Sequence, residues 1–253
     1  IFTYGMETAF FRFTQISDKK NVFNTASLSL LSSSFMFCML LVGFHVPIAK
    51  LLMVEDHPEY ILLASAIIFF DALTTIPFAK LRLDAKPRKF AFIRVFGIFV
   101  NIGCLYFFLS VCPEIAKSKP DSLIGFLYND NWLVGYVFLA NLIQSVVTLL
   151  LLSKEFFGFS FKFDKAVWRQ LVVYGLPIMI AGLAGMVNET FDRIMLAWWL
   201  LLKSESLVKA EIGIYSACYK LSLLISLSVQ AFRMGAEPFF FKQSSSENAP
   251  RTY

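Results

Sequence analysis

Three bases stand where an apolar chain should carry none. Arg193, Lys220 and Arg233 each fall within a long hydrophobic run. A charge at the centre of a bilayer costs at least about 2.5–3.5 kcal/mol on insertion scales, so each needs a physical reason. Near the first base stand Asn188, Glu189 and Asp192; near the third stand Gln230 and Glu237. Glu189 and Arg193 are four positions apart, as are Asn188 and Asp192, so each pair can touch along one broad helical face. Two readings are open: the pairs neutralise one another and fix helix packing, or their face lines a water-filled cavity. The following run favours the cavity, because Gln230, Arg233 and Glu237 follow i, i+3, i+7 spacing and share one stripe. Lys220 and Arg193 lie about ten residues from the outer ends of their helices, too deep to reach the headgroups by extending their stems. Lys220 can therefore face Asp192 or Arg193. Bases that acids only partly match suit an anion; the competing reading for Arg233 is an ion pair with Glu237.

Other polar residues in apolar surroundings are ambiguous in the same way. Asp71 and Asn101 fall at similar depth in consecutive runs, so they suit a hydrogen bond to each other or, for Asp71, a ligand to a coupling cation such as Na+ or H+. Asn141 and Gln144 suit contacts between helices. Glu7, Arg12 and Arg94 lie close enough to the cytoplasmic face to extend to it, so they suit either anchoring there or a functional role. His45 suits the opposite interface. No cluster has metal-ligand spacing, no nucleophile elbow or phosphate loop appears, and neither metal nor cofactor is implied. The four cysteines lie in or beside apolar runs and suit small buried thiols. A membrane enzyme would need a catalytic His or paired acids at an interfacial loop, and the chain arranges none. A purely structural scaffold would leave the three bases unexplained.

The elements that must position these residues follow from hydropathy. Apolar residues make up 57% of the 253 and charged residues 16%, with mean hydropathy +0.65. Soluble domains carry nearer a quarter charged residues. Runs long enough to cross hydrocarbon occur at 27–54, 60–79, 90–111, 132–152, 171–202 and 212–241, after a partial run ending near Phe13. In lipid only a helix satisfies its own backbone, and barrel strands would be shorter and alternate in polarity. The expected fold is an all-α polytopic membrane protein with six full spans and the end of another.

Lys and Arg set the orientation. Fifteen lie in one set of loops (around positions 12–20, 80–94, 154–169 and 242–251) and five in the other (50, 117, 119, 203 and 209). The first set is therefore expected in the cytoplasm. Bases alternating between the two faces form no single stripe, which argues against nucleic acid as the partner of a chain of net charge +5.

A repeat organises the spans. Met6–Gln15 (METAFFRFTQ) and Ala236–Gln243 (AEPFFFKQ) each close an apolar helix with an acid, an aromatic pair and a base; Gly5, Glu7, Phe10, Phe11 and Arg12 match Gly235, Glu237, Phe240, Phe241 and Lys242. Such a period predicts two parallel halves and a parent about twice the repeat in length. The predicted lobes are residues 1–157 and 158–253, meeting near Gly158 within Ser153–Gln170. The aromatics and bases that alternate in that stretch suit an interfacial amphipathic segment or a linker between halves. Gly175 and Pro177 predict a kink in the fifth full span.

YGMETAFFRF (4–13), YGLPIMIAGLAGMVNETFDRIML (174–196) and GIYSACYKLSLLISLSVQAFRMGAEPFFF (213–241) resemble the Wzx-type polysaccharide (O-antigen) flippases of the MOP exporter superfamily, whose bundle is MATE-like. The resemblance covers nearly the whole chain, as helices two to eight of a twelve- to fourteen-helix family. It implies a multi-pass protein of the bacterial inner membrane whose two six-helix lobes enclose a V-shaped cavity. Such a protein moves undecaprenyl-pyrophosphate-linked oligosaccharide, an O-antigen or capsule repeat unit bound for lipopolysaccharide or capsule, between leaflets by alternating access. Polysaccharide polymerase and glycosyltransferases would be its partners, with membrane lipids around it. Arg193, Lys220 and Arg233, with Gln230 and Asn188, would meet the anionic headgroup; Glu189, Asp192, Glu237, Asp71 and Glu7 would balance charge or couple; Arg12 and Arg94 would guide cytoplasmic entry. The alternative is a cation-coupled multidrug exporter of the same superfamily, which favours acidic, aromatic-lined cavities rather than a basic one.

Overall fold

The computed structural model describes residues 2–52, 55–118, 128–129, 132–157, 159–199 and 205–243. These residues form helices α1 (Met6–Phe13), α2 (Lys19–Gly43), α3 (His45–Leu51), α4 (Glu59–Leu83), α5 (Pro87–Tyr106), α6 (Cys112–Ser118), α7 (Leu133–Leu152), α8 (Lys165–Trp199) and α9 (Glu205–Gln243), and no strand occurs among them. Five stretches are long and apolar enough to cross a membrane: Lys19–Gly43, Glu59–Leu83, Pro87–Ser118, Leu133–Phe156 and Lys165–Val187. The chain is an all-α polytopic membrane protein. The sixth expected span lies within the single long helix α9, which is not among those five; its described part carries Lys220, Gln230 and Arg233.

The helices start earlier than hydropathy predicts. α2 begins at Lys19 rather than Ser27, because the Asp18 side chain accepts from the Asn21 amide at 3.1 Å and caps the first turn. α5 begins at Pro87, whose missing N–H and fixed φ suit a first helical position. The third span continues past Val111 through a π-helical turn, Phe107–Val111, into α6.

Two compact units form. Of the described residues, those of 18–168 with Phe2 form one unit, which holds α2 to α7; those of 3–17 and from 169 onward form the other, which holds α1, most of α8 and α9. The lobe boundary expected near Gly158 falls on a residue outside the described ones.

In the larger unit α4 packs between α2 and α7, and α7 packs in turn on α5. Phe78, Leu81, Ile93 and Leu152 form a buried cluster at one end, with Phe90 and Leu151 against it. Beneath it Glu155, 5% exposed, joins three elements. Its backbone carbonyl accepts from Lys80 Nζ at 2.6 Å, its carboxylate takes Lys89 Nζ, and the Lys80 ammonium lies 4.6 Å from the Phe23 ring centroid. At the opposite ends of α4 and α7, Glu59 accepts from Trp132 Nε1 and pairs with His57 Nδ1, each at 2.9 Å. The α5 face bearing Phe92, Val95, Phe99 and Ile102 is exposed, as a lipid-facing surface should be.

In the smaller unit α1 packs on α9. Gly5 precedes α1 with φ +69°, a left-handed conformation glycine adopts without strain. Phe13 and Tyr174 meet edge to face at 5.9 Å, and the Arg12 guanidinium lies 5.0 Å from the Tyr174 ring centroid.

Candidate functional site

The site is built where the two copies of the repeat meet. α9 contributes Phe232, Arg233, Ala236, Glu237, Phe240 and Phe241, and α1 contributes Thr8, to a groove of about 440 Å³. On α9 these positions are adjacent pairs that repeat every four residues and so line one face. Arg233 is exposed and Glu237 half-buried. They stand one turn apart, yet among the described residues no ion pair joins them, so both charged groups remain available to a third party. A guanidinium takes a phosphate or carboxylate through two parallel hydrogen bonds. Around it the three phenylalanines supply apolar wall. Such a groove fits an amphiphile with an anionic head better than a fully polar solute.

The other residues singled out from the sequence disperse. Lys220 and Gln230 are exposed on α9 but do not line the groove. Thirteen positions separate Lys220 from Arg233, roughly 20 Å along a helix, so the two cannot share one phosphate. Asn188, Glu189, Asp192 and Arg193 fall on α8, with side chains outside the described residues, as is that of Lys242. Glu7 is half-buried beside Thr8. Arg12 lies over Tyr174, and Arg94 over Phe78 at 4.2 Å and Phe90 at 5.8 Å, so aromatic faces hold both. His45 Nδ1 meets the Val42 carbonyl at 2.7 Å.

Asp71 and Asn101 do not bond to each other. Ser145 Oγ donates to Asp71 Oδ1 at 2.6 Å, and Asn101 Nδ2 donates to Asn141 Oδ1 at 3.0 Å. The reason is topological: α7 packs closely on both α4 and α5, so each polar side chain finds its partner on α7. Asn141 does join helices, as its position between apolar neighbours suggests.

Thr8 escaped the sequence reading because a lone threonine beside an aromatic cluster carries no signal of its own. The same is true of Ser145. Another set did leave a trace: Asn21, Asn24, Thr25 and Ser29 recur at helical spacing on α2, and all four bond to the segment after α7. Asn24 Nδ2 donates to Ser160 Oγ at 2.8 Å, and the Ser160 amide donates to Asn24 Oδ1 at 3.2 Å. Asn21 Nδ2 donates to Asp164 Oδ2 at 2.9 Å, the Asp164 amide to Thr25 Oγ1 at 3.3 Å, and Trp168 Nε1 to Ser29 Oγ at 2.8 Å.

Compared with known proteins, residues 123–243 match the sequence model of a family described as "Polysaccharide biosynthesis protein". The matched stretch is just under half of the chain and includes α7, α8 and α9, hence Arg233 and Glu237 but not Thr8. That similarity points to polysaccharide synthesis or transport. No curated protein and no solved structure matches the chain.

Proposed function

We propose that the chain belongs to a flippase that moves undecaprenyl-pyrophosphate-linked oligosaccharide, an O-antigen or capsule repeat unit, across the bacterial inner membrane by alternating access. The carrying observation is the groove between α1 and α9, where Arg233 and Glu237 stand among three phenylalanines without pairing to each other. A guanidinium suits the pyrophosphate, and the aromatic wall suits the first units of a polyprenyl tail. Similarity to polysaccharide biosynthesis proteins over 123–243 supports the sugar half of this reading. So do the parallel halves inferred from the repeat, which in a MATE-like bundle bring equivalent helices to the cavity between lobes. On this reading the protein performs no covalent chemistry. Polymerase and glycosyltransferases act before and after it, and a coupling cation or the membrane potential drives it.

Glu237 beside three aromatic rings would also suit a cationic drug, as in the multidrug exporters. Arg233 in the same groove opposes a cation, which favours the flippase reading.

The test is Arg233→Ala and Arg233→Glu in the full-length protein, expressed where surface polysaccharide depends on it. Losing a charge-assisted contact of about 1.5–3 kcal/mol should cut export roughly 10- to 100-fold, and charge reversal should abolish it, with membrane insertion unchanged. Arg233→Lys should retain part. Wild-type polysaccharide from Arg233→Glu would sink the proposal.

A further inference from the structure

We propose that the segment joining α7 to α8, together with the first turn of α2, is a docking surface for an anionic phospholipid of the surrounding bilayer. Three membrane spans end there. The span of α2 begins at Lys19, that of α7 ends at Phe156, and that of α8 begins at Lys165. Residues between them lie at the boundary of hydrocarbon and water.

The structure sorts the aromatics of this segment into two sets. Phe156 and Phe159 turn inward onto Phe23, with ring centroids 6.2 and 6.4 Å from it. Phe157 and Phe161 turn outward and are each 81% exposed; Phe163 is 51% exposed. In water three exposed phenylalanines would be a liability. At the level of the first acyl carbons they are buried, as interfacial rings are. The segment is also held in place, because the five hydrogen bonds to Asn21, Asn24, Thr25 and Ser29 fix it along α2.

Charge is arranged to match. A groove of about 450 Å³ is lined by Asp18, Lys20, Asn21, Asn24, Ser160 and Lys162. The local acids are turned toward protein donors. Asp18 accepts from the Asn21 amide at 3.1 Å; Asp164 accepts from Asn21 Nδ2 and from the amides of Ala166 and Val167 at 2.9, 2.9 and 3.2 Å. Lys20, Lys162 and Lys165 form no ion pair among the described residues. Two free ammonium groups, those of Lys20 and Lys162, therefore flank the groove, and Lys162 directly follows Phe161, whose ring turns outward. A phosphodiester with a hydroxylated headgroup satisfies the lysines while its acyl chains meet Phe157 and Phe161. A soluble anion would satisfy only the first half, which is why the occupant is a lipid. This inference is independent of the transported substrate.

The experiment uses the full-length protein in neutral detergent, with phosphatidylglycerol or phosphatidylcholine added, read by native mass spectrometry and by the thermal midpoint. Phosphatidylglycerol should bind more tightly and raise the midpoint more. Each lysine near an anionic surface contributes roughly fivefold in affinity, so Lys20→Gln with Lys162→Gln should lose about 30-fold. Lys20→Arg with Lys162→Arg should keep the preference, which separates charge from fold. Phe161→Ser should weaken binding of either lipid. Equal binding of the two lipids to the wild-type protein overturns the proposal. So does an undiminished preference in the glutamine variant, or an equal shift produced by glycerol phosphate alone.

Discussion

Gly5 and Gly175 meet backbone to backbone. A Cβ on Gly5 would lie 2.5 Å from the Gly175 carbonyl oxygen, and one on Gly175 would lie 2.5 Å from the carbonyl oxygen of Tyr4. Neither obstacle is a side-chain tip that could swing aside. The contact seats α1 against the kink-prone GLP stretch of α8 and so sets where Thr8 faces α9. Gly175→Ala should lower stability by about 1–3 kcal/mol, the usual range for overpacking. It should also cost more transport than that loss of folded protein explains. The pair of measurements is a thermal midpoint in detergent and export per folded molecule; an unchanged midpoint would mean that α1 can withdraw freely.

Asp71 has its carboxylate in a hydrogen bond with Ser145, which suits a structural clasp between α4 and α7. Ser145→Ala should therefore cost about 1 kcal/mol of stability. Asp71→Asn, whose amide oxygen can still accept from Ser145, should leave transport and its dependence on sodium or pH intact. Loss of that dependence in vesicle assays would identify Asp71 as a coupling ligand instead.

Asp164 gives the α2 clasp a pH dependence. The Asn21 side-chain Nδ2, followed by the backbone amides of Val167 and Ala166, holds the Asp164 carboxyl below the usual carboxylate range. A lowered folded value means that the stabilisation is fully present above the ordinary aspartate pKa of about 3.9. It is lost as pH falls through the folded value. Protection of the Ala166 and Val167 amides from hydrogen exchange, relative to an unstructured chain, should accordingly be present near neutrality and fall as pH drops through the folded value. Asp164→Ala, which removes the accepting oxygen, should abolish that protection at every pH; continued slow exchange in that variant would show that the two amides are protected by something other than the carboxylate.

Membrane spans were legible one at a time. Whether some twenty residues can cross hydrocarbon depends on their own hydropathy and on the rule that a backbone in lipid must bond to itself. Both are properties of the local chain, so α2, α4, α5, α7 and α8 stood out before any packing was known. The stripe of Gln230, Arg233 and Glu237 was legible for the same reason, since helical spacing places side chains on faces without reference to neighbours. Partners were not. Asp71 and Asn101 sit at matching depth, yet α7 lies against both their helices and takes each bond for itself. Gln230 shares a stripe with Arg233 but the groove closes around Arg233 and Glu237, because α1 brings Thr8 to that level and no other. The outward and inward phenylalanines after α7 alternate too irregularly to be sorted by period; the bonds from Asn21 and Asn24 decide which rings meet lipid. Depth in the membrane is a one-dimensional quantity that a sequence carries, whereas contact between helices depends on three-dimensional neighbours that no single run of residues specifies.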